Sequence, residues 1–283
     1  MSAVLAAQQG WEAALQLHFA QNEAGETVLV RRMHKGPLVV QKPLYPERRS
    51  VCHTIILHPP GGIAGGDRLS IGVIANAGSH ALLTTPGAGK WYKSNGSAAT
   101  QSLDFRVEKA AVLEWLPQET ILFDGADAQW NTRIELESDA CYMGWEIICL
   151  GRTASGEKFS QGHLRQKTEM FCQGKRIWGE YAALEGGDRL LFSQAGLAGR
   201  NVSGTFLVAG CAITDACLNA VRTIKVAGDT GDVSGVTRIG NVVAIRYLGT
   251  SSERARQYFV AVWSLLRPVV AGHQACIPRI WNT

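Results

Sequence analysis

The run His58-Pro59-Pro60-Gly61-Gly62-Ile63-Ala64-Gly65-Gly66-Asp67 places an imidazole and a carboxylate at the edges of a segment in which six of the nine positions 59–67 are Pro or Gly. Backbone of this kind either makes a rigid turn after a strand over Thr54–Leu57 or lets another group approach closely. On the second reading His58 and Asp67 edge a contact surface or the lining of a passage. The run is not a dinucleotide fingerprint, because Ile63 stands where GxGxxG needs its second glycine. Two further carboxylates stand in apolar or Gly-rich settings, Glu146 beside Trp145 and Glu180 after Gly179. Each acid taken singly reads as a hydrogen-bonded structural group. Oxygen donors spaced along a passage would nonetheless suit transient binding of a divalent cation, since weak ligation permits release. A closed metal centre is not expected. His53 and His58 are five apart and fall on opposite faces of a strand, and the sequence contains no HxH, HExxH or Cys/His cluster.

The segment Thr84-Thr85-Pro86-Gly87-Ala88-Gly89-Lys90 imitates a phosphate-cradling loop and fails on detail. Position 84 should be Gly and is Thr, and the hydroxyl that would hold Mg²⁺ after the lysine is replaced by Trp91. It reads as a tight turn between strands. No GxSxG is present, and no order of Ser, His and Asp picks out a triad.

The elements that must carry these residues are mostly strands. Trp11, Ala13, Leu15, Leu17 and Phe19 alternate with Glu12, Ala14, Gln16 and His18, a period of two. Short runs of the same kind recur to Val242–Tyr247, separated by Gly, Pro, Asn and Asp clusters that serve as turns. One stretch is clearly helical: after Ser251 and Ser252 the residues Ala255, Tyr258, Phe259, Val262, Leu265 and Leu266 form one apolar stripe, and Pro268 is expected to close it. A weaker helix is expected over Asp215–Ile224. With no repeat, low-complexity tract or Pro/Ser-rich linker, the reading is one mainly β domain over 1–283 with helices towards its C-terminus.

Composition narrows the class. The 283 residues are 46% hydrophobic without an apolar run near the ~20 residues of a membrane-spanning helix, so no such span is expected. Only 18% are charged, below the roughly 25% of average soluble domains, which argues against disorder. The net charge of +4 is spread along the chain rather than gathered into a basic face, so nucleic acid is not the expected partner. Seven cysteines without CxxC spacing read as small core residues. Met1–Gln9 has no basic n-region and only a short apolar stretch at Ala3–Ala7, which leads to the expectation of a cytoplasmic chain without disulfides.

Several segments together resemble one family. Gly36-Pro37-Leu38, Tyr45-Pro46-Glu47, the 58–67 run, Thr85-Pro86-Gly87-Ala88, Glu114-Trp115-Leu116-Pro117-Gln118-Glu119, Cys149-Leu150-Gly151-Arg152 and Pro278-Arg279-Ile280-Trp281 come in the order found in the UreD family of urease accessory proteins, called UreH in some organisms. The resemblance implies a β-helical, strand-rich body and a nickel-insertion chaperone rather than an enzyme. Implied partners are the urease apoprotein and the helical accessory protein UreF, through which the GTPase UreG is recruited with its nickel. The resemblance also implies an internal passage for nickel(II), with Asp67, Glu146 and Glu180 as its lining. Gly89 departs from the Ser or Thr common before the lysine in the family. The alternative reading is a β-rich enzyme or sugar-binding module with its site at the Gly-rich loop 59–67. The failed phosphate loop generates one expectation: the purified chain shows no saturable binding of GTP or ATP in the micromolar range, checked by equilibrium dialysis with labelled nucleotide.

Overall fold

The computed structural model describes residues 10–228 and 231–282, so the expectations about Met1–Gln9 lie outside the described residues. In chain order the strands are β1 (Glu12–Gln21), β2 (Thr27–Lys35), β3 (Val39–Val40), β4 (Val51–Leu57), β5 (Arg68–Ala75), β6 (His80–Thr84), β7 (Gly89–Trp91), β8 (Ala99–Val107) and β9 (Val112–Trp115). They continue as β10 (Thr120–Leu122), β11 (Asp127–Leu136), β12 (Cys141–Leu150), β13 (His163–Cys172), β14 (Lys175–Glu185), β15 (Val202–Ala209), β16 (Val233–Ile239) and β17 (Val242–Gly249). The helices are α1 (Asp215–Thr223) and α2 (Ser252–Ala271).

Two sheets face each other. The first has the order β14-β13-β11-β8-β5-β1-β2, and the second runs β16-β17-β15-β12-β9-β6-β4-β3. From β4 to β13 the chain alternates between the sheets, so that β5, β8, β11 and β13 pair in parallel in one while β4, β6, β9 and β12 pair in parallel in the other. This is the mainly β, β-helical arrangement the sequence led us to expect, closed at its ends by antiparallel hairpins.

Register stacks the core. Leu17, Val73, Phe105, Ile134 and Met170 are successive partners across five strands, and none is more than 1% exposed. The second sheet is covered on both faces along its middle strands. Its inner face meets the first sheet, and its outer face packs on α2, α1 and Trp281 around Trp145, Phe206, Phe259 and Trp263. Strands buried on both sides read as continuous apolar runs, as β12 does, whereas β1 of the first sheet alternates.

The helical covering is fixed by buried polar groups. Arg267 of α2, wholly buried, donates from Nε to both Glu114 oxygens at 3.0 and 3.2 Å, and from Nη1 and Nη2 to Glu47 at 2.9 and 2.7 Å. His80 and Trp263 complete the Glu114 shell, each at 2.6 Å, and His53 lies 2.7 Å from Glu47. The terminal Pro278–Trp281 motif is a latch: Trp281 Nε1 donates to Thr84 Oγ1 at 2.7 Å, and Arg256 donates to the Trp281 carbonyl at 3.2 Å.

Two expectations need correction. Pro268 does not close the helix, which runs on to Ala271 and ends at Gly272 with φ +69°. Pro removes a single N–H, and so near the C-terminus one lost bond to Ser264 is tolerated until the left-handed glycine stops the turn. The sequence reading also placed no strand at β7, β10, β14 or β16. The first two are only three residues long, β16 is almost wholly exposed, and in β14 Gly179 and Glu180 interrupt the apolar pattern. The weaker helix does form as α1, capped by Thr214. All seven cysteines are free, with Cys52, Cys141 and Cys149 buried and the other four half-buried.

Because Glu114 and Arg267 are both buried, removing one strands the other. Glu114→Ala is expected to lower the unfolding free energy by about 3–5 kcal/mol, seen as a fall in the urea midpoint.

Candidate functional site

Parity places the acids. On β12 the side chains of Tyr142, Gly144, Glu146 and Ile148 face the first sheet, while Met143, Trp145 and Ile147 face the helices. Glu146 therefore owes its enclosure to the opposite sheet and not to Trp145. On β14 the same rule turns Glu180 inward and Tyr181 outward, where it is 67% exposed, so that aromatic neighbour encloses nothing either.

Two polar rows face each other at this level. In the first sheet the inward row Leu15, Ile71 and Leu103 continues as Thr132, Thr168 and Glu180. In the second sheet Glu146, Thr205 and Arg246 are cross-strand partners. Between them lies a cavity of about 30 Å³ whose walls include Tyr142, Gln166, Glu146 and Glu180. Gln166 Nε2 donates to Glu146 Oε2. Arg246 Nη1 donates to Glu180 Oε1 at 2.6 Å and to Thr205 Oγ1 at 2.8 Å.

The electrostatics of the two acids differ. Burial, reinforced by the nearby charge of Glu180, raises the Glu146 carboxyl to about 7, and the Gln166 hydrogen bond opposes this only in part. Glu180 has its own counter-ion in Arg246. Burial also holds the Tyr142 phenol in its neutral form by raising its pKa.

Two larger cavities continue the line. One of about 350 Å³ is lined by His58, the Gly61–Ile63 backbone, the loop from Thr85 to Trp91, Gln118 and Glu146. Another of about 300 Å³ lies under Trp11, Tyr92 and Asn95 and reaches Asp67. Glu146 lines both the smallest and the largest cavity, and His58 and Gly62 line both larger ones. Shared wall residues set the three spaces side by side, with Asp67 lining one outer space and Glu180 the other. Burial lowers the His58 pKa, partly opposed by Asp67, which favours a neutral imidazole with a free lone pair. Trp130 lines the largest cavity, and its indole N–H has no acceptor among the described residues, so that wall can offer a donor to whatever fills the space.

Asp67 is a hydrogen-bonded acid, as each carboxylate taken singly reads in the sequence. Its Oδ1 accepts from Trp11 N at 2.7 Å and its Oδ2 from Ala64 N at 2.8 Å, clipping the loop to β1. The loop's glycines are needed for space: a Cβ at Gly65 would come within 2.8 Å of the Ser97 carbonyl. At Gly89 the opposite holds, since a Cβ there would lie 3.6 Å from Thr120 Oγ1, so Thr120 presents a hydroxyl at the position where Gly89 lacks one. Structure thus brings Glu146 and Glu180 into one cavity and leaves Asp67 in another. No group of three or more His, Cys, Asp or Glu residues suited to hold a metal ion occurs among the described residues. No helix of the described residues is long and apolar enough to cross a membrane. Sequence reading missed Gln166, Thr168, Thr205 and Arg246. The available signal was a polar side chain at an inward position of an alternating or apolar strand, plainest for Arg246 within Val242–Leu248.

Comparison with known proteins adds the lineage. The sequence model of a family described as "UreD urease accessory protein" matches residues 12–282. The chain is 49% identical over 280 residues to "Urease accessory protein UreD" of Dechloromonas aromatica, covering 96% of this chain and 95% of that one. It is 45% identical over 277 residues to the protein of the same name from Methylobacillus flagellatus, covering 98% and 96%. With that of Azoarcus sp. (strain BH72) it shares 44% identity over 283 residues, covering 100% and 98%.

The raised Glu146 carboxyl makes a signed prediction. Its ordinary value is 4.5 and its folded value about 7, so the fold is penalised as pH climbs through that interval and carries the full penalty above it. Glu146→Gln, which has no proton to lose, is expected to gain about 1–3 kcal/mol relative to wild type between about pH 5 and about pH 8, checked by urea denaturation at both.

Proposed function

The chain belongs to the UreD family of urease accessory proteins, and from that premise we propose that it is a cytoplasmic maturation chaperone that binds the urease apoprotein and UreF, receives UreG through UreF, and conducts nickel(II) to the urease active site. Its role lies in urease maturation, as an accessory factor and not an enzyme. The finer reading treats the chain as one working domain with nickel as transient cargo and no tightly held cofactor.

The observation that carries the conduit is the series of three cavities from Asp67 past His58 and Glu146 to Glu180. A divalent ion moving along it meets carboxylate, imidazole, amide and hydroxyl groups, a donor set that nickel accepts. Donors spread along a path bind weakly enough to let go, which a clustered site would not. The raised Glu146 supports the same reading: a carboxyl near neutrality on its resting side can lose its proton to an arriving cation and regain it on departure. Asp67 serves loop and passage together, since each of its oxygens spends one lone pair on a main-chain N–H and keeps another. Exposed apolar side chains, among them Leu190, Phe192, Val269 and Ile277, supply surface for protein partners. For the sugar-binding alternative, Trp91, Trp115 and Trp130 at the large cavity are only 3–5% exposed and offer no open stacking platform, and the exposed aromatics are Trp11 and Tyr92 at the cavity that reaches Asp67.

The test measures nickel per urease active site together with pull-down yield for Asp67→Ala, Glu146→Ala, Glu180→Ala and their combinations. Complex assembly is expected to persist for the Glu146 and Glu180 variants with less nickel delivered, and paired changes are expected to exceed single ones. Full nickel loading by the triple variant would reject the conduit role of these acids.

A further inference from the structure

Arg246 is the one cationic side chain in the two facing polar rows. It stands at the inward position of β17 in the row Glu146, Thr205, Arg246, and it reaches across to Glu180 on the other sheet. Resting on the conduit reading above, we propose that Arg246 is the gate of the passage at its β14–β17 end: its guanidinium occupies the position of the travelling cation at Glu180 and must be displaced when nickel(II) arrives.

Three observations carry this. The Nη1 atom holds the Glu180 carboxylate at 2.6 Å and the Thr205 hydroxyl at 2.8 Å, which are two of the oxygen donors of the smallest cavity. A divalent ion at that cavity needs the same oxygens, so guanidinium and ion compete for one seat. Second, the side chain is free to leave, since Arg246 is 43% and Glu180 30% exposed, in contrast to the wholly buried Arg267. An ion pair so close to water is weak, and its loss costs little. Third, Trp178 stands beside the seat: in the same pose the guanidinium carbon lies 5.9 Å from the centroid of its ring, within range of a cation–π contact, so a displaced guanidinium has an aromatic face next to it.

The consequence is electrostatic. With Arg246 seated, Glu180 is neutralised and this end of the passage presents no standing negative well in which other cations could lodge. A doubly charged ion outbids a singly charged one for the carboxylate only while it is present, and the arginine returns to the oxygens as the ion moves on. Arg246 is thus a positioning residue that keeps ligation labile, acting on the cargo only through Glu180 and Thr205.

The experiment is equilibrium dialysis of the full-length chain against nickel(II) chloride, with circular dichroism to confirm the fold. It compares wild type, Arg246→Gln, Arg246→Met, Arg246→Lys, Glu180→Gln and the double variant Arg246→Gln/Glu180→Gln. Arg246→Gln is expected to bind nickel about tenfold more tightly, because the competing charge is gone while its acceptors remain. Arg246→Lys, which keeps the charge, should stay near wild type, and the double variant should lose the gain. Arg246→Met, which removes the charge with a side chain of similar length and leaves both oxygens in place, should tighten binding by a similar factor and serves if Arg246→Gln does not fold. Unchanged or weaker affinity in both Arg246→Gln and Arg246→Met, with nickel still lost on Glu180→Gln, would overturn the gate and leave the conduit standing. No nickel bound by any of the variants would overturn the conduit reading and the gate with it.

Discussion

The second sheet is covered on both faces along its middle strands, and the placement of its acids answers to that constraint. A strand buried on both sides has no position that reaches water freely, so each polar side chain on it must find a partner in one layer or the other. Glu114 and Glu146 are the two tests of this rule, and parity sends them opposite ways. Glu114 points to the helices. Burial works to raise its pKa, yet His80, Arg267 and the Trp263 N–H together hold it below the usual carboxylate range. It stays charged, fully hydrogen-bonded and structural. Glu146 points to the other sheet, where Gln166 is its donor and Glu180 a second negative charge, and its carboxyl rises to about 7. The same residue type in the same sheet becomes a rivet on one face and a titratable wall on the other.

The rivet serves the wall. Arg267 ties α2 to Glu114 on β9 and to the Glu47 loop, and the helix it fixes carries Phe259 and Trp263, which pack against Trp145 at 6.1 and 6.5 Å. Trp145 also donates to the Pro117 carbonyl at 2.8 Å. With Trp145 held on the helical side, its neighbour Glu146 is aimed between the sheets. Of the motifs Glu114–Glu119 and Pro278–Trp281, Glu114, Leu116 and Trp281 build the covering layer that keeps β12 in place, while Trp115, Pro117 and Gln118 line the largest cavity.

The Gly-rich loop combines shape with chemistry. Gly65 is required because the Ser97 backbone comes too near for a Cβ, Gly62 because the Tyr92 ring does, and Asp67 locks the turn through the Ala64 N–H and ties it to the start of β1 through the Trp11 N–H. The loop then forms the wall shared by the two larger cavities, with His58 standing between them. A turn that looked like either scaffolding or surface is both, because holding the backbone open is what leaves the space.

Sequence alone determined the strand character of the chain, the long helix and the failure of the phosphate-loop imitation, because these rest on local periodicity and on residue types at fixed spacing. It also marked Asp67, Glu146 and Glu180, and the segments that carry the family resemblance. Tertiary structure decided which of those acids meet. Glu180 and Glu146 come from different sheets and share a cavity only because two registers, Thr132–Thr168–Glu180 and Glu146–Thr205–Arg246, lie at the same level. No local pattern encodes that level; it is set by how many residues each turn spends between one sheet and the other. For the same reason Arg246 passes in sequence for a polar interruption of an apolar strand, and only the facing sheet reveals the carboxylate it holds.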